Sequence, residues 1–329
     1  MSDDIKKGLL GIVVDETEVS KVMPEINSLT YRGYAAQDLC EYCRFEEVAY
    51  LILNKDLPNS IQLKQFEKEE RNNRELSKNL YEIIKNIPKK SHPMDVARTA
   101  VSVMGLEDNE TSNSSPEANM RKTLRIFAKT PTALAAFYRV RNGKKIIKPK
   151  KELSFAENFF NMCFGKVPQK EIVKAFDVSL ILYAEHSFNV STFTARTITS
   201  SLSDIHGAIT GAIASLKGPL HGGANEEVMH MMRKIKKPEN ALKWINNALK
   251  NSSFFFKDFL SILYISLSMT HELLLITGSS NFSIIAVCKF FTWLLSMLGL
   301  LYDPRFYVTF CYGLLFSFIS FPIYMLIYI

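Results

Sequence analysis

Apolar side chains recur every three to four positions through most of the chain, which is the spacing of an amphipathic helix. Five segments show this spacing, and we predict helices over 37–53, over 61–87, from Pro93 onward, over 121–140 with an interruption at Pro131, and over 171–185. Residues 107–116 and 144–151 lack the spacing and are expected to form loops. Only the stretch near 9–14 favours a small strand pair. The pattern therefore predicts an all-α fold.

The composition changes abruptly after residue 251. Of the 23 phenylalanines, 12 lie from Phe254 onward. Residues 252–329 contain three cations and three anions, so the formal net charge of +7 belongs entirely to residues 1–251. We therefore divide the chain into a helical domain, 1–251, and a hydrophobic tail, 252–329.

The tail contains three candidate membrane-spanning segments. Residues 306–329 carry no charged side chain and, at about 1.5 Å per residue, are long enough to span a bilayer as a helix. The segments 259–277 and 282–302 are weaker candidates, because a charge at the centre of such a helix costs roughly 2.5–3.5 kcal/mol. We expect membrane association through 306–329; the alternative is a set of core helices.

Cysteine usage and the N-terminus indicate a reducing compartment. The five cysteines are few and odd in number. Cys40 and Cys43 form a lone Cys-x-x-Cys without a second pair, so we predict no metal site and expect both to pack along a helix. No apolar run follows the first basic residues, as a signal peptide would require. Residues 1–251 are therefore expected in the cytoplasm, in preference to the mitochondrial matrix.

Five lysines of the predicted loop 144–151 form a basic cluster. Without interleaved aromatic residues or a known binding motif, the cluster does not indicate a nucleic-acid partner. Attraction of a negatively charged acyl-CoA is one interpretation. An ordinary solvated loop is the other, and we favour it.

His221 is the first candidate for chemistry. It lies between Pro219 and two glycines, directly before the apolar spacing of a further predicted helix that begins near Glu226. The positive end of a helix dipole disfavours a charged imidazole. A neutral His221 can donate a hydrogen bond to a substrate oxygen; on spacing alone, an ordinary turn histidine before a helix is the favoured interpretation.

Four stretches in the same order resemble motifs of the citrate synthase family. They are Gly218-Pro-Leu-His-Gly-Gly-Ala-Asn-Glu-Glu-Val228, Leu182-Tyr-Ala-Glu-His-Ser-Phe-Asn-Val-Ser-Thr-Phe-Thr-Ala-Arg196, Asn27-Ser-Leu-Thr-Tyr-Arg-Gly-Tyr34 and His92-Pro-Met-Asp95. The resemblance runs from about residue 6 to about residue 250 and is nearest to the bacterial 2-methylcitrate synthase branch. It implies a large helical domain of the citrate synthase type.

The resemblance also implies roles for individual residues. His221 matches the histidine that donates to the thioester oxygen of an acyl-CoA, and His186 lies in the oxaloacetate-binding segment. Asn189 is expected to donate to the same ligand. Arg196 is a candidate carboxylate ligand because its planar fork matches a carboxylate, with an intramolecular salt bridge as the alternative. The implied substrates are oxaloacetate and either acetyl-CoA or propionyl-CoA, with no further cofactor.

Assembly is the last implication of the resemblance. Residues 191–216 are rich in Ser, Thr, Ala and Gly, which lets helices approach closely. Family dimers meet through helices of this region, so we expect a homodimer. Tight packing within one monomer is the alternative.

The resemblance stops near residue 250. There the family continues with a Gly-Phe-Gly-His-Arg-Val-Tyr type segment holding a second histidine, followed by a catalytic aspartate and arginines, and the tail contains none of these. We therefore expect a large domain truncated before the small domain, with impaired condensing activity. The alternative is an inactive, membrane-tethered pseudoenzyme or partner subunit. The tail itself is either a read-through or splice product or a genuine anchor.

Overall fold

The computed structural model of the protein describes residues 13, 15–23, 26, 28–219 and 221–223, with scattered positions between 230 and 247. Helices dominate this part of the chain, so the all-α prediction is confirmed. The strands are β1 (Ser20–Met23), β2 (Ser28–Tyr31) and β3 (Tyr34–Ala35). The helices are α1 (Ala36–Tyr42), α2 (Phe45–Asn54), α3 (Ser60–Asn72), α4 (Lys78–Asn86), α5 (Pro93–Glu107), α6 (Pro116–Arg141), α7 (Phe155–Phe164), α8 (Lys170–Leu182), α9 (Val190–Thr199) and α10 (Ile205–Leu216).

The three strands form one small antiparallel sheet in the order β1-β2-β3. Ser20 pairs with Tyr31 at one end of the β1–β2 ladder. The Tyr31 hydroxyl donates to the carbonyls of Ile181 and Leu182, at 3.0 and 3.1 Å, and so docks the sheet on the end of α8. The predicted strand pair near residues 9–14 lies almost wholly outside the described residues, and the sheet lies further along the chain.

Two predicted long helices are each divided in the structure, so both predictions were wrong in extent. Residues 37–53 form α1 and α2, because the Asp177 carboxylate accepts the backbone N–H of Phe45 at 3.1 Å and starts a new helix there. Residues 61–87 form α3 and α4. Arg74, which is fully buried, lies between these two helices.

The predicted interruption at Pro131 was also wrong, since α6 runs through it from Pro116 to Arg141. Proline removes one backbone hydrogen bond from a helix. Phe127 and Leu134, on either side of Pro131, are completely buried. Core packing therefore maintains the helix across the lost bond. The start at Pro116 follows from Ser115, whose hydroxyl accepts the Ala118 N–H at 3.3 Å.

Close backbone contacts place the hairpin of α9 and α10 against α5. A side chain at Gly105 of α5 would collide with His206 of α10, and one at Gly211 of α10 would collide with Ile198 of α9. These small residues therefore serve packing within one chain, which was one of the two interpretations of the stretch 191–216. The hairpin carries the predicted substrate segment at its N-terminal end.

The hydrophobic tail lies outside the described residues. The boundary at 251 and the candidate segments 259–277, 282–302 and 306–329 therefore stay predictions. In the described part of the chain, every helix is too short or too polar to cross a bilayer.

Candidate active site

The His221 ring lies at the N-terminus of α9. Its Nε2 atom is 3.3 Å from the backbone nitrogen of Ser191 and 2.9 Å from the Ser191 hydroxyl. A tight turn holds His221 there, because the Gly218 carbonyl accepts the N–H groups of His221 and Gly223 at 3.0 and 3.1 Å. The ring is thus fixed between a turn and the first turn of a helix.

The backbone N–H of Ser191 bears on which ring nitrogen of His221 carries the proton. A backbone N–H can only donate, so Nε2 acts as its acceptor at 3.3 Å. The 2.9 Å contact with the Ser191 hydroxyl takes either direction, according to the tautomer. The amide contact favours the neutral tautomer with its proton on Nδ1.

Burial lowers the pKa of the His221 imidazole, and the nearby His186 lowers it further. The ring is therefore neutral at pH 7, as the sequence predicts. The helix that disfavours its charge is α9, since Ser191 provides one of the unpaired N–H groups of that helix. Most residues of the helix predicted to follow His221 lie outside the described residues.

Asn189 is the N-cap of α9. Its Oδ1 accepts the backbone N–H of Thr192 at 3.0 Å and lies 2.6 Å from the Ser191 hydroxyl. The carbonyl oxygen of Asn189 is thus engaged in starting the helix that holds His221. Its expected role as a ligand donor, which would use the amide nitrogen, stays a prediction.

His186 is exposed and lies in the turn between α8 and α9. Two neighbours define that turn. Glu185 is buried beneath it, and Ser187 adopts a left-handed backbone with φ of 57°. His186 and His221, which the sequence predicts to face one substrate, are close enough for His186 to affect the pKa of His221.

The Arg196 guanidinium contacts two protein side chains. It forms an ion pair with Asp15, and its guanidinium lies 5.2 Å from the centre of the Phe188 ring. The intramolecular salt bridge that the sequence left open is therefore present. A carboxylate ligand would compete with Asp15 for this guanidinium.

Sequence reasoning missed two residues of this region, Ser191 and Glu185. Ser191 had a detectable signal, because an Asn followed by Ser and Thr at a helix start is a capping pattern. Glu185 had a weaker signal, a carboxyl directly after an apolar helix. Neither pattern reveals that the side chain reaches the functional histidines.

The basic loop 144–151 is tied to α3 and α4. Lys148 pairs with Glu75 at 2.5 Å and covers the Tyr81 ring, and Lys151 donates to Asn72 at 2.8 Å. These contacts favour an ordinary surface loop over an acyl-CoA site.

The described residues contain no cluster of three or more His, Cys, Asp or Glu side chains that could hold a metal ion. Cys40 lies in α1 and Cys43 is the C-cap of that helix, and both are free thiols. Cys40 packs along the helix as predicted, whereas Cys43 lies one residue beyond its end.

Comparison with known proteins decides the family. A family model described as "Citrate synthase, C-terminal domain" matches residues 8–256. The chain belongs to the citrate synthase family. The match covers the range over which the four sequence motifs predict the resemblance.

Bacterial members of the citrate synthase family are similar over the same part of the chain. The citrate synthase of Mycolicibacterium smegmatis is 51% identical over 245 residues, which cover 74% of this chain and 65% of the relative. The 2-methylcitrate synthase 2 of Corynebacterium glutamicum is 52% identical over 255 residues, covering 76% and 67%. This chain thus spans about two thirds of the length of these relatives.

The crystal structure of citrate synthase from Thermotoga maritima has the same fold. It superposes with a TM-score of 0.72 at 28% identity and covers 97% of this chain and 91% of the other.

Proposed function

We propose that this member of the citrate synthase family carries part of a condensing site for oxaloacetate and an acyl-CoA. The observation that supports this most directly is the 3.3 Å contact between the Ser191 amide and His221 Nε2. It leaves a neutral Nδ1–H donor, which is the group needed beside a thioester oxygen.

The chemistry explains why a neutral donor suits this position. When a proton leaves the carbon next to a thioester, negative charge develops on the thioester oxygen. A hydrogen-bond donor fixed at that oxygen stabilises the enol-like species, and such donors are worth about 10²–10³ in rate. The Ser191 contact and burial hold His221 in this form without a substrate.

His186 is proposed to bind oxaloacetate. Its imidazole is exposed beside His221, so one ligand can contact both rings. The amide nitrogen of Asn189 is a second proposed donor. Arg196 contributes only if the oxaloacetate carboxylate displaces Asp15.

Condensation by this chain alone is proposed to be very slow. After residue 250 the sequence lacks the family's second histidine segment and its catalytic aspartate. A general base contributes about 10²–10⁴ in rate, and the lost histidine donor about another 10²–10³. The same observation supports a second candidate function, an inactive partner subunit that pairs with an intact synthase and is tethered through 306–329.

A homodimer is proposed through the helices of residues 191–216, which are α9 and α10. Phe193 of α9 is 41% exposed, and Leu202, in the turn between the two helices, is 93% exposed. Large apolar side chains exposed together favour a protein partner. Light scattering of the purified chain measures the subunit number directly.

Calorimetry with oxaloacetate tests the proposed binding. The full chain is expected to release heat at millimolar oxaloacetate, and His186→Ala is expected to lose it. Lys85→Ala, which breaks an exposed ion pair with Glu82, is the control and should bind like the parent. A folded parent chain that gives no heat would refute oxaloacetate binding.

Thiol release from acetyl-CoA and from propionyl-CoA then tests condensation and acyl preference. The expected result is little or no turnover by the chain alone. A robust rate that falls in His221→Ala would show that the tail completes a working site. Turnover that rises when an intact synthase is mixed in, beyond its own rate, would favour the partner-subunit function.

A further inference from the structure

We propose that Glu185 is a positioning residue, whose buried carboxyl fixes the turn that presents His186 to oxaloacetate. The choice of oxaloacetate as the ligand rests on the proposed function. The claim that Glu185 holds the turn rests only on the contacts that Glu185 makes.

The Glu185 carboxyl accepts a backbone N–H from its own turn. Its Oε1 accepts the Ser187 backbone N–H at 2.6 Å. The side chain of Glu185 thereby holds the backbone directly after His186.

The turn needs such a fixing contact because Ser187 has an unfavourable backbone. Its φ of 57° lies in the left-handed region, which residues with a Cβ atom rarely adopt. Without the carboxyl, Ser187 would relax to an ordinary conformation and rotate the backbone of His186. The exposed imidazole would then point in a different direction.

The sheet holds the carboxyl in place from the other side. The Ser20 hydroxyl of β1 donates to Glu185 Oε1 at 2.7 Å and accepts the Ser187 N–H at 3.0 Å. β1 pairs with β2, and Tyr31 of β2 donates to the carbonyls at the end of α8. The position of His186 is therefore set by residues far away in the sequence.

The surroundings of Glu185 favour the neutral acid at pH 7. Burial raises the pKa of its carboxyl to about 8, against the opposing effect of its hydrogen bonds. In the described part of the structure, the buried Oε2 atom has no hydrogen-bond partner. A neutral amide of the same shape can retain the Oε1 contacts, so Glu185→Gln should preserve the turn.

Amide hydrogen exchange on the full chain tests the turn without any ligand. Glu185→Ala is expected to speed exchange at the Ser187 amide by about tenfold or more, because that amide loses the nearer of its two acceptors. Glu185→Gln should stay within about threefold of the parent. Glu46→Ala is the matched control, since Glu46 is equally buried but accepts the Phe155 N–H at 2.8 Å.

Oxaloacetate affinity tests the consequence for His186. Glu185→Ala is expected to weaken binding about tenfold, which is the loss of one to two hydrogen bonds that orient the turn. Glycine adopts the left-handed region readily. Adding Ser187→Gly to Glu185→Ala should therefore recover affinity to within about threefold of the parent. A purely structural carboxyl would show no such rescue.

Three results would overturn the positioning role. Exchange at the Ser187 amide could be unchanged in Glu185→Ala, Glu46→Ala could accelerate that same amide, or oxaloacetate could bind Glu185→Ala as tightly as the parent. If the parent binds no oxaloacetate, the proposed function fails while the exchange experiment still decides the turn. If Glu185→Ala does not fold, Glu185→Asp retracts the carboxyl by one methylene, and unchanged exchange in that variant would overturn the role.

Discussion

Glu70 and Glu185 are both buried carboxyls, with exposed fractions of 1% and 2%. Their hydrogen-bond partners are of different kinds. Glu70 binds a cation: Arg74 donates to it three times, at 2.6 to 3.0 Å. Glu185 instead accepts a hydroxyl and one backbone N–H, and one of its oxygens has no hydrogen-bond partner among the described residues. Glu70 is half of an ion pair, whereas burial raises the pKa of Glu185 to about 8 and favours its neutral acid.

The two carboxyls serve different parts of the molecule: Glu70 belongs to the helical scaffold, and Glu185 belongs to the candidate site. Arg74 also donates to the carbonyls of Lys150 and Leu153, at 2.8 and 2.9 Å, so the ion pair ties the loop before α7 to the end of α3. The Glu185 network instead contains a serine with a left-handed backbone and a carboxyl oxygen that no described residue contacts by a hydrogen bond. Unfavourable local geometry persists where the surroundings enforce it, and such positions cluster at functional sites.

The same substitution at both carboxyls should give the largest contrast in stability. Arg74 cannot lose its charge, so Glu70→Gln leaves a buried guanidinium without a counter-ion and is expected to cost about 3–5 kcal/mol. Glu185→Gln replaces a neutral acid by a neutral amide and should cost less than about 1 kcal/mol. Denaturant unfolding of both variants measures the contrast, and equal losses would contradict it.

Asp177 is a third buried carboxyl, and its raised pKa makes the stability of the chain depend on pH. Burial, and next the charge of Glu46, raise the pKa of Asp177 to about 7. The folded chain therefore holds this proton more tightly than the unfolded chain, whose aspartate pKa is about 3.9. The stabilisation from this proton is complete below pH 4 and is lost as the pH rises to about 7.

Asp177→Asn removes this pH dependence. The amide oxygen can still accept the Phe45 N–H, so the start of α2 is retained. The variant is expected to gain stability over the parent between pH 5 and pH 8, by on the order of 2 kcal/mol. Thermal unfolding across that range measures the gain, and a constant difference between the two proteins would refute the assignment.

The smallest expected effect is at Ser187. Glycine avoids the cost of the left-handed backbone but loses more entropy on folding, so Ser187→Gly should stabilise the chain by about 0.5 kcal/mol. Ser179→Gly, the same change inside α8, should destabilise it by about 0.5 kcal/mol. Unfolding midpoints that move in the same direction would contradict the strain at Ser187.

The sequence predicts the helical class and most loops because both depend on local periodicity. It fails where a distant side chain intervenes. Asp177, which is 132 positions from Phe45, accepts the first N–H of α2 and adds to the local cap, in which Glu47 accepts the Arg44 N–H at 2.8 Å. The helix α6 continues through Pro131, because the burial of neighbouring side chains outweighs the cost of a proline inside a helix. Local sequence rules treat such a proline as ending the helix.

The candidate site was likewise only partly predictable from the sequence. His221 and His186 are recognisable because they stand in ordered motifs. The atom that carries the His221 proton depends on Ser191, and the turn at His186 depends on Ser20, 166 positions earlier. Such contacts follow from tertiary structure, which periodicity does not encode. The small residues of 191–216 suited either a dimer or a monomer contact, and only the packing of Gly211 on Ile198 identifies one of their uses.

The protonation state of His221 tests the central claim most directly. We propose nitrogen NMR of the full chain with labelled histidine, with His221→Gln used to assign the signal. At pH 6.5, where an ordinary histidine is half protonated, more than half of the His221 rings should be neutral, with the proton on Nδ1. Addition of oxaloacetate should shift both its signal and that of His186. A charged ring, or a neutral ring protonated on Nε2, would contradict the proposed donor.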